Sequence, residues 1–368
     1  MKKTSEKHES LLTITRRATM PKGKAILIRA IAIVAALILC GIITMLVTDE
    51  SPIGLYKAMF EGSFGTANQT WVLFENLAIL LSISLAITPA FRMKFWNIGA
   101  QGQVLAGALA TAICMFTLGG KIPEWLLMIV MAVTAVAAGA LWGFIPAVFR
   151  AQWQTNETLF TLMMNYVAIQ LIEYFLKVAD KSGSNTVGPD LLSHGWYPAL
   201  FGNEHILPIL VAAVLTAVMY FYLNYSKHGY EISVVGESEK TARYVGINVK
   251  KVIIRTMILS GALCGMVGLL LTGVKSHSIS TGLECGYGFT AIMVSWLAKF
   301  DPITMIFSTF LLVFLERGAG EISSTCGINA SFSSILTGVI LFFIIGCEFF
   351  INYRIHLNVR KNAGKEEA

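Results

Sequence analysis

Ten long apolar stretches, separated by short polar loops, leave this chain one kind of place to fold: a lipid bilayer. They run over about 25–48, 71–90, 99–118, 125–148, 157–176, 205–224, 252–274, 287–298, 302–317 and 330–352. A hydrocarbon core about 30 Å thick takes about 20 apolar residues per helix. Each segment must satisfy its own backbone there, which favours helices. The predicted fold is therefore all-α, a polytopic integral membrane bundle of about ten transmembrane helices. The eighth and ninth stretches are short, which makes them candidates for tilted, broken or re-entrant segments and leaves eight spans as the alternative. Only 14% of residues are charged, against roughly 25% in a soluble domain, so no separate soluble domain is expected.

The charges that remain are sorted by loop. Arg16, Arg17, Lys22 and Lys24 precede the first span, Arg92 and Lys94 follow the second, and Arg150 follows the fourth. Lys240, Arg243, Lys250 and Lys251 lie between the sixth and seventh, and Arg354, Arg360 and Lys361 follow the tenth. The opposite loops hold only Lys57, Lys121, Lys177, Lys181, Lys275 and Arg317. This bias predicts that both termini are cytoplasmic and that the number of spans is even. It accounts for the net charge of +6 without a nucleic-acid partner. The expected organisation is a basic arm over 1–24, a transmembrane domain over 25–352 with a cytoplasmic loop at 225–251, and a cytoplasmic tail over 353–368. The first span is too long for the core of a cleaved signal peptide and has no Ala-x-Ala-like exit.

Two loops are long. Residues 177–204 lie outside, with Gly183, Gly188 and Pro189 marking turns. Residues 225–251 lie inside, and from Glu237 to Tyr244 they contain neither Gly nor Pro. Glu239 and Arg243 stand at i, i+4 in the favourable order, and Gly246 follows as a C-cap. A short amphipathic helix is predicted there, either a solvated loop helix or a dock for a cytoplasmic partner.

Small residues recur four apart: Gly102, Ala106 and Ala110 in the third span, Gly139 and Gly143 in the fourth, Gly261 and Gly265 in the seventh. In lipid, helices associate by close backbone approach, which small residues permit. Those three spans are predicted to pack inside the bundle.

Polar residues inside spans are candidates for a pathway, because they need partners there. Glu75 and Asn76 lie one turn into the second span, with no cation nearby in sequence. Asn97, Gln101 and Gln103 sit at the start of the third, and Asn165 and Tyr166 halfway through the fifth. An amide offers donors and an acceptor, which suits a neutral substrate rich in hydroxyls or ring nitrogens. Hydrogen bonding between helices is the alternative use. No span carries a mid-membrane cluster of Asp, Glu or His, so an ion-coupled secondary carrier is poorly supplied.

No phosphate-binding loop, zinc-protease motif or nucleophile elbow is present. No catalytic residue, metal ligand or bound cofactor is expected on this chain. Cys285 and Cys326 fall in predicted outer loops, where a disulfide between them is an open possibility.

Four stretches resemble one family. Phe95-Trp96-Asn97-Ile98-Gly99-Ala100-Gln101-Gly102-Gln103 is similar to the "FNIGAEGQ" run of permeases from bacterial ABC importers. Thr161-Leu162-Met163-Met164-Asn165-Tyr166-Val167-Ala168 resembles their "TLMLNYIA". Thr241-Ala242-Arg243-Tyr244-Val245-Gly246-Ile247-Asn248-Val249-Lys250 resembles "AARYAGINVK", and Gly286-Tyr287-Gly288-Phe289-Thr290-Ala291-Ile292 the start of "GYGFTAIAVALLG". The matching branch handles nucleosides and simple sugars and is related to the branched-chain amino acid permeases. The long basic N-terminus resembles the larger of two paired permeases. There are departures: Gln101 stands in place of the family's Glu, Met293 in place of a small Ala, Ser295-Trp296-Leu297-Ala298-Lys299 in place of "ALLGR", and Glu237-Ser238-Glu239-Lys240 in place of an Asn-Pro-Glu approach.

The resemblance implies a membrane channel subunit, not an enzyme, in the cytoplasmic (inner) membrane of a bacterial cell. It would import nucleosides, with a ribose-like sugar or riboflavin as alternatives. The implied partners are a second homologous permease, an ATPase with two nucleotide-binding cassettes that carries ATP and Mg, and a substrate-binding lipoprotein or periplasmic protein. Gly236, Glu239, Ala242, Arg243, Tyr244 and Gly246 would couple to that ATPase. Glu75, Asn76, Asn97, Gln101, Gln103, Asn165 and Tyr166 would line or shape the path.

Overall fold

The computed structural model describes residues 12–17, 20–47, 52–180, 185–325 and 330–357. Cys326, and with it the possible bond to Cys285, lies outside the described residues. In chain order the elements are strand β1 (Leu12–Arg16) and helices α1 (Lys22–Val47), α2 (Pro52–Phe64), α3 (Ala67–Arg92), α4 (Ala100–Leu118), α5 (Glu124–Trp153) and α6 (Glu157–Ala179). Strand β2 (Thr186–Val187), helices α7 (Ile206–Tyr225), α8 (Lys227–Glu237), α9 (Glu239–Tyr244) and α10 (Val249–Leu270), a π turn (Leu271–Ser276) and strand β3 (Ile279–Ser280) follow. Helices α11 (Tyr287–Leu297), α12 (Pro302–Thr325) and α13 (Ala330–Asn352) and strand β4 (Tyr353–Leu357) complete the fold. Among the described residues, nine helices are long and apolar enough to cross a membrane, and α11 is a shorter apolar helix.

The chain forms two compact units, Ser63–Phe314 and the pair Met1–Gly62 with Leu315–Ala368. In the second, α1 packs on α13, and Arg29 is ion-paired with Glu348, its Nε 2.8 Å from Oε1. The expected basic arm also gains unforeseen structure, since β1 pairs antiparallel with β4, Leu12 opposite Leu357 and Arg16 opposite Tyr353. The alternation Leu12-Thr13-Ile14-Thr15, rich in β-branched residues, is the local reason. Helix α2, read as loop in the sequence, packs here as well: a Cβ added at Gly62 would meet the Glu321 side chain at 2.4 Å.

The larger unit is built around α3, α4, α5 and α10. Helix α3 is buried continuously from Ala78 to Phe91, the pattern of a helix surrounded by others. Helix α5 instead buries one stripe, including Leu127, Met131, Ala135, Gly139 and Gly143. That stripe meets α10 at backbone distance. A Cβ at Gly261 would lie 2.2 Å from the Gly139 carbonyl oxygen, and one at Gly265 2.3 Å from that of Ala135. On its other side α10 meets α4, where a Cβ at Gly107 would lie 2.4 Å from the Gly265 oxygen. The predicted packing of spans four and seven is this contact; span three joins it through Gly107, opposite Gly265 and Gly268, and not through the predicted Gly102, which packs on Asn165 and Trp142. Helix starts are set by side-chain caps: Thr66, Asn156, Ser226, Ser238 and Asn248 each accept a backbone N–H of the first turn.

The eighth stretch is a short helix entered through turns. Ile279 sits in the core with Phe175 and Leu176 of α6, about 27 Å along that helix from Glu157 at 1.5 Å per residue. Gly288 lies against the backbone of Gln101, and the adjacent Gly102 donates to Asn165, only about 12 Å along α6. Between Ile279 and Gly288 the chain therefore descends about 15 Å, chiefly through the turns at 281–286 that lead into α11. Turns and α11 together form one continuous descent. The ninth stretch is longer than its apolar run, because α12 continues through Glu316 and Arg317 to Thr325.

Candidate functional site

The polar knot after α3 folds because Lys94 takes a left-handed backbone (φ 59°) and turns the chain under the helix. Asn97 then becomes the centre of a buried network. Its Oδ1 accepts from Gly99 N (3.1 Å) and Gln103 Nε2 (3.3 Å), and its Nδ2 donates to Gln103 Oε1 and Ser260 Oγ, both at 3.3 Å. Asn165, 2% exposed, reaches the same segment from α6. Its Oδ1 accepts from Gly102 N at 2.8 Å and its Nδ2 donates to Ile98 O at 2.9 Å. Thr161 Oγ1, one turn earlier, accepts from Ile98 N at 3.2 Å. These amides satisfy the irregular backbone that precedes α4, which lipid cannot do. Gln101 differs: it is only partly buried and keeps its side chain outside this network. Tyr166 is exposed, on the face of α6 turned away from Asn165.

At the end of the bundle that the sequence places outside, Glu75 does have a hydrogen-bonding partner. His205, which precedes α7, places Nδ1 2.7 Å from Glu75 Oε2. Lys275, in the π turn, donates to Asn76 Oδ1 at 2.6 Å. Neither partner is visible in sequence, since they lie 130 and 199 residues away. The long loop 177–204 also joins the segment that follows the π turn. Strand β2 pairs with β3, Thr186 opposite Ser280. Tyr197 N donates to Gly273 O at 3.2 Å, taking a carbonyl of the π turn, and Trp196 stacks on His277 with ring centroids 4.2 Å apart. Burial pulls the His277 imidazole below its usual pKa, with nearby Glu204 acting in the opposite direction.

At the opposite end, which the sequence places inside, the predicted amphipathic helix is present as α9, preceded by an unpredicted α8. Gly236 closes α8 against α3, where a Cβ would lie 2.2 Å from Arg92 O. Ala242 is fully buried beneath α9. Gly246 (φ 83°) ends the helix as foreseen: its N–H donates to Arg243 O, and Ile247 N donates to Ala242 O at 2.9 Å. Glu239 lies 3.6 Å from Arg243 and 3.6 Å from Arg150, and Arg150 in turn lies 3.3 Å from Glu157 at the start of α6. Arg150, read in sequence as a topological charge alone, thus ties α9 to the helix that carries Asn165. Tyr244 is 93% exposed, so α9 is held from beneath while its outer face is open.

Comparison with known proteins supplies the context. The model of the family described as branched-chain amino acid transport system / permease component matches residues 70–345. The guanosine ABC transporter permease protein NupP of Bacillus subtilis is 29% identical over 325 residues, covering 87% of this chain and 92% of that protein. The glucose ABC transporter permease protein TsgB13 of Haloferax volcanii is 27% identical, covering 94% and 93%. The nucleoside ABC transporter permease protein NupB of Lactococcus lactis subsp. cremoris is 27% identical, covering 88% and 91%.

Proposed function

The chain belongs to the branched-chain amino acid transport system permease family, and from that premise we propose that it carries nucleosides inward through the membrane for an ATP-driven importer. It is a multi-pass cell-membrane subunit of an ABC transporter, and the ATPase resides on a partner chain. The observation that carries the nucleoside reading is the pair of relatives named for guanosine and nucleoside transport, each matched over nearly its whole length. The supply of neutral amides and the lack of a mid-membrane ionisable cluster fit a neutral polar cargo.

In this reading both termini are cytoplasmic, and α9 receives the ATPase. Gly236 and Ala242 fix its seat, Glu239 and Arg243 present charge, Gly246 ends it, and Tyr244 is the exposed contact. Closure of the ATPase moves α9, and Arg150 passes that displacement to α6. The joined outer loops receive the substrate-binding protein, and a second homologous permease completes the path. Glu75, Asn76 and Gln101 stand beside that path. Asn97, Gln103 and Asn165 hold the wall behind it, and Tyr166 faces outward from α6.

A sugar is the second reading, favoured by the glucose-named relative at similar identity. The two separate in proteoliposomes containing this chain, its partner permease, the ATPase and the binding protein. Radiolabelled guanosine is expected to accumulate only with ATP, with unlabelled guanosine competing and glucose not. Glucose accumulation that guanosine leaves unaffected would replace the first reading with the second.

A further inference from the structure

Irregular backbone at membrane depth is stable only where protein covers it or where it borders water. The turns that lead into α11 are left uncovered by this chain on one side: Gly282, Cys285 and Gly286 are exposed, a backbone that bare lipid cannot satisfy, although Gly288, two residues on, lies against Gln101 well inside the bundle. Glu284 occupies the protected side, accepting from Gly286 N at 3.1 Å and Gly288 N at 2.7 Å. The segment is thus finished on one side and open on the other.

The open side continues down α11 at helical spacing. Gly286, Phe289, Met293 and Trp296 follow one another every three or four residues, with Thr290 beside Phe289. Phe289 is 43% and Trp296 50% exposed. At the lower end Trp96, 43% exposed, stands beside Trp296 with ring centroids 5.3 Å apart and planes tilted by 37°. Among the described residues neither indole N–H has a protein acceptor, a costly arrangement in hydrocarbon and a useful one beside water or a polar ligand. Tryptophans at a membrane boundary also serve as anchors in lipid, but here the exposed stripe runs on into exposed irregular backbone, which lipid does not satisfy.

We propose that this stripe, Phe289, Met293 and Trp296 with Trp96 beside it and Gln101 at its head, is the wall on which a flat, neutral heteroaromatic ring slides through the membrane. The aromatic faces stack on the ring, and the Gln101 amide and the two indole N–H groups bond its edge. Stacking of this kind tolerates different bases because each has a π face. The proposal rests on the nucleoside reading above and names the residues that meet the base.

The test uses the complete importer in proteoliposomes, with Cys285→Ser as background. Phe289→Cys, Met293→Cys and Trp296→Cys are each exposed to a charged, membrane-impermeant methanethiosulfonate, with Val133→Cys on the apolar outer face of α5 as reference. Thiolate forms only where water reaches, so the three stripe positions are expected to react at least about tenfold faster than the reference, and guanosine to slow them. Trp296→Leu is expected to raise the KM for guanosine about tenfold, and Trp296→Phe to recover most of the loss. Reaction no faster than at Val133→Cys, in an importer that still accumulates guanosine, would overturn the stripe and leave the nucleoside reading standing. Protection by glucose and not by guanosine would overturn the ring-stacking assignment together with that reading.

Discussion

Gly261→Leu is expected to leave no stable folded chain. The position has no room even for a methyl group, since a Cβ there would lie 2.2 Å from the Gly139 carbonyl oxygen and 3.1 Å from Gly143 N. Both are backbone atoms of α5, so relief requires the helices themselves to separate. Separation would in turn open the Gly265–Ala135 contact and press α10 against α4, where Gly107 already meets Gly265 at backbone distance. Because association in lipid depends on this close packing, the loss is expected to be about 3 kcal/mol or more. The measurement is thermal unfolding in detergent, with monodispersity by size-exclusion chromatography. Gly338→Ala, in α13 where nothing lies within 4 Å of the added atom, is expected to match the unsubstituted chain. A monodisperse Gly261→Leu protein that melts at the same temperature would show that the three-helix contact does not hold the bundle together.

The second large effect is on transport, with the fold intact. Arg243→Glu reverses a charge on a side chain that is 60% exposed, so little stability is at stake. It also places two carboxylates one turn apart, beside Arg150, on the surface assigned to the ATPase. Like charge at a docking surface costs enough to reject a partner. ATP-driven uptake by the reconstituted importer is expected to fall at least about tenfold, while the melting temperature of the isolated chain is unchanged. Uptake at the unsubstituted rate would remove Arg243 from the coupling path.

What the sequence discloses and what it hides follow from the range of each interaction. Contacts set by local spacing are legible: the Gly139, Gly143, Gly261 and Gly265 pattern, the Gly246 cap, and the uninterrupted run that becomes α9 all depend on residues within one or two turns. Partners distant in sequence are not. The pairing of Glu75 with His205 and of Asn76 with Lys275 arises only when α3, α7 and the π turn converge. The amides form an intermediate case. That Asn97, Gln103 and Asn165 matter is plain from three polar residues in apolar surroundings. That their hydrogen bonds go to Ser260, Ile98 and Gly102 depends on α6 and α10 crossing the knot. The break in the eighth stretch has a local signal, the glycines at 282, 286 and 288 ahead of a short apolar run. Its depth has none, since depth is fixed by Gly288 meeting Gln101. The β1–β4 pairing joins chain segments more than three hundred residues apart, and only the β-branched alternation of residues 12–15 hints at it.

The claim on which the account depends is that α9 faces the cell interior, where a separate ATPase can bear on it. A Tyr244→Cys variant decides this directly, because the position is almost fully exposed and stands on the open face of α9. Intact cells and inside-out membrane vesicles are treated with a charged maleimide that does not cross the bilayer. The variant thiol is expected to label in the vesicles and to remain unlabelled in intact cells, with added ATPase protecting it. Labelling from outside intact cells would contradict the topology, the coupling role of α9 and the inward, ATP-driven transport built on them.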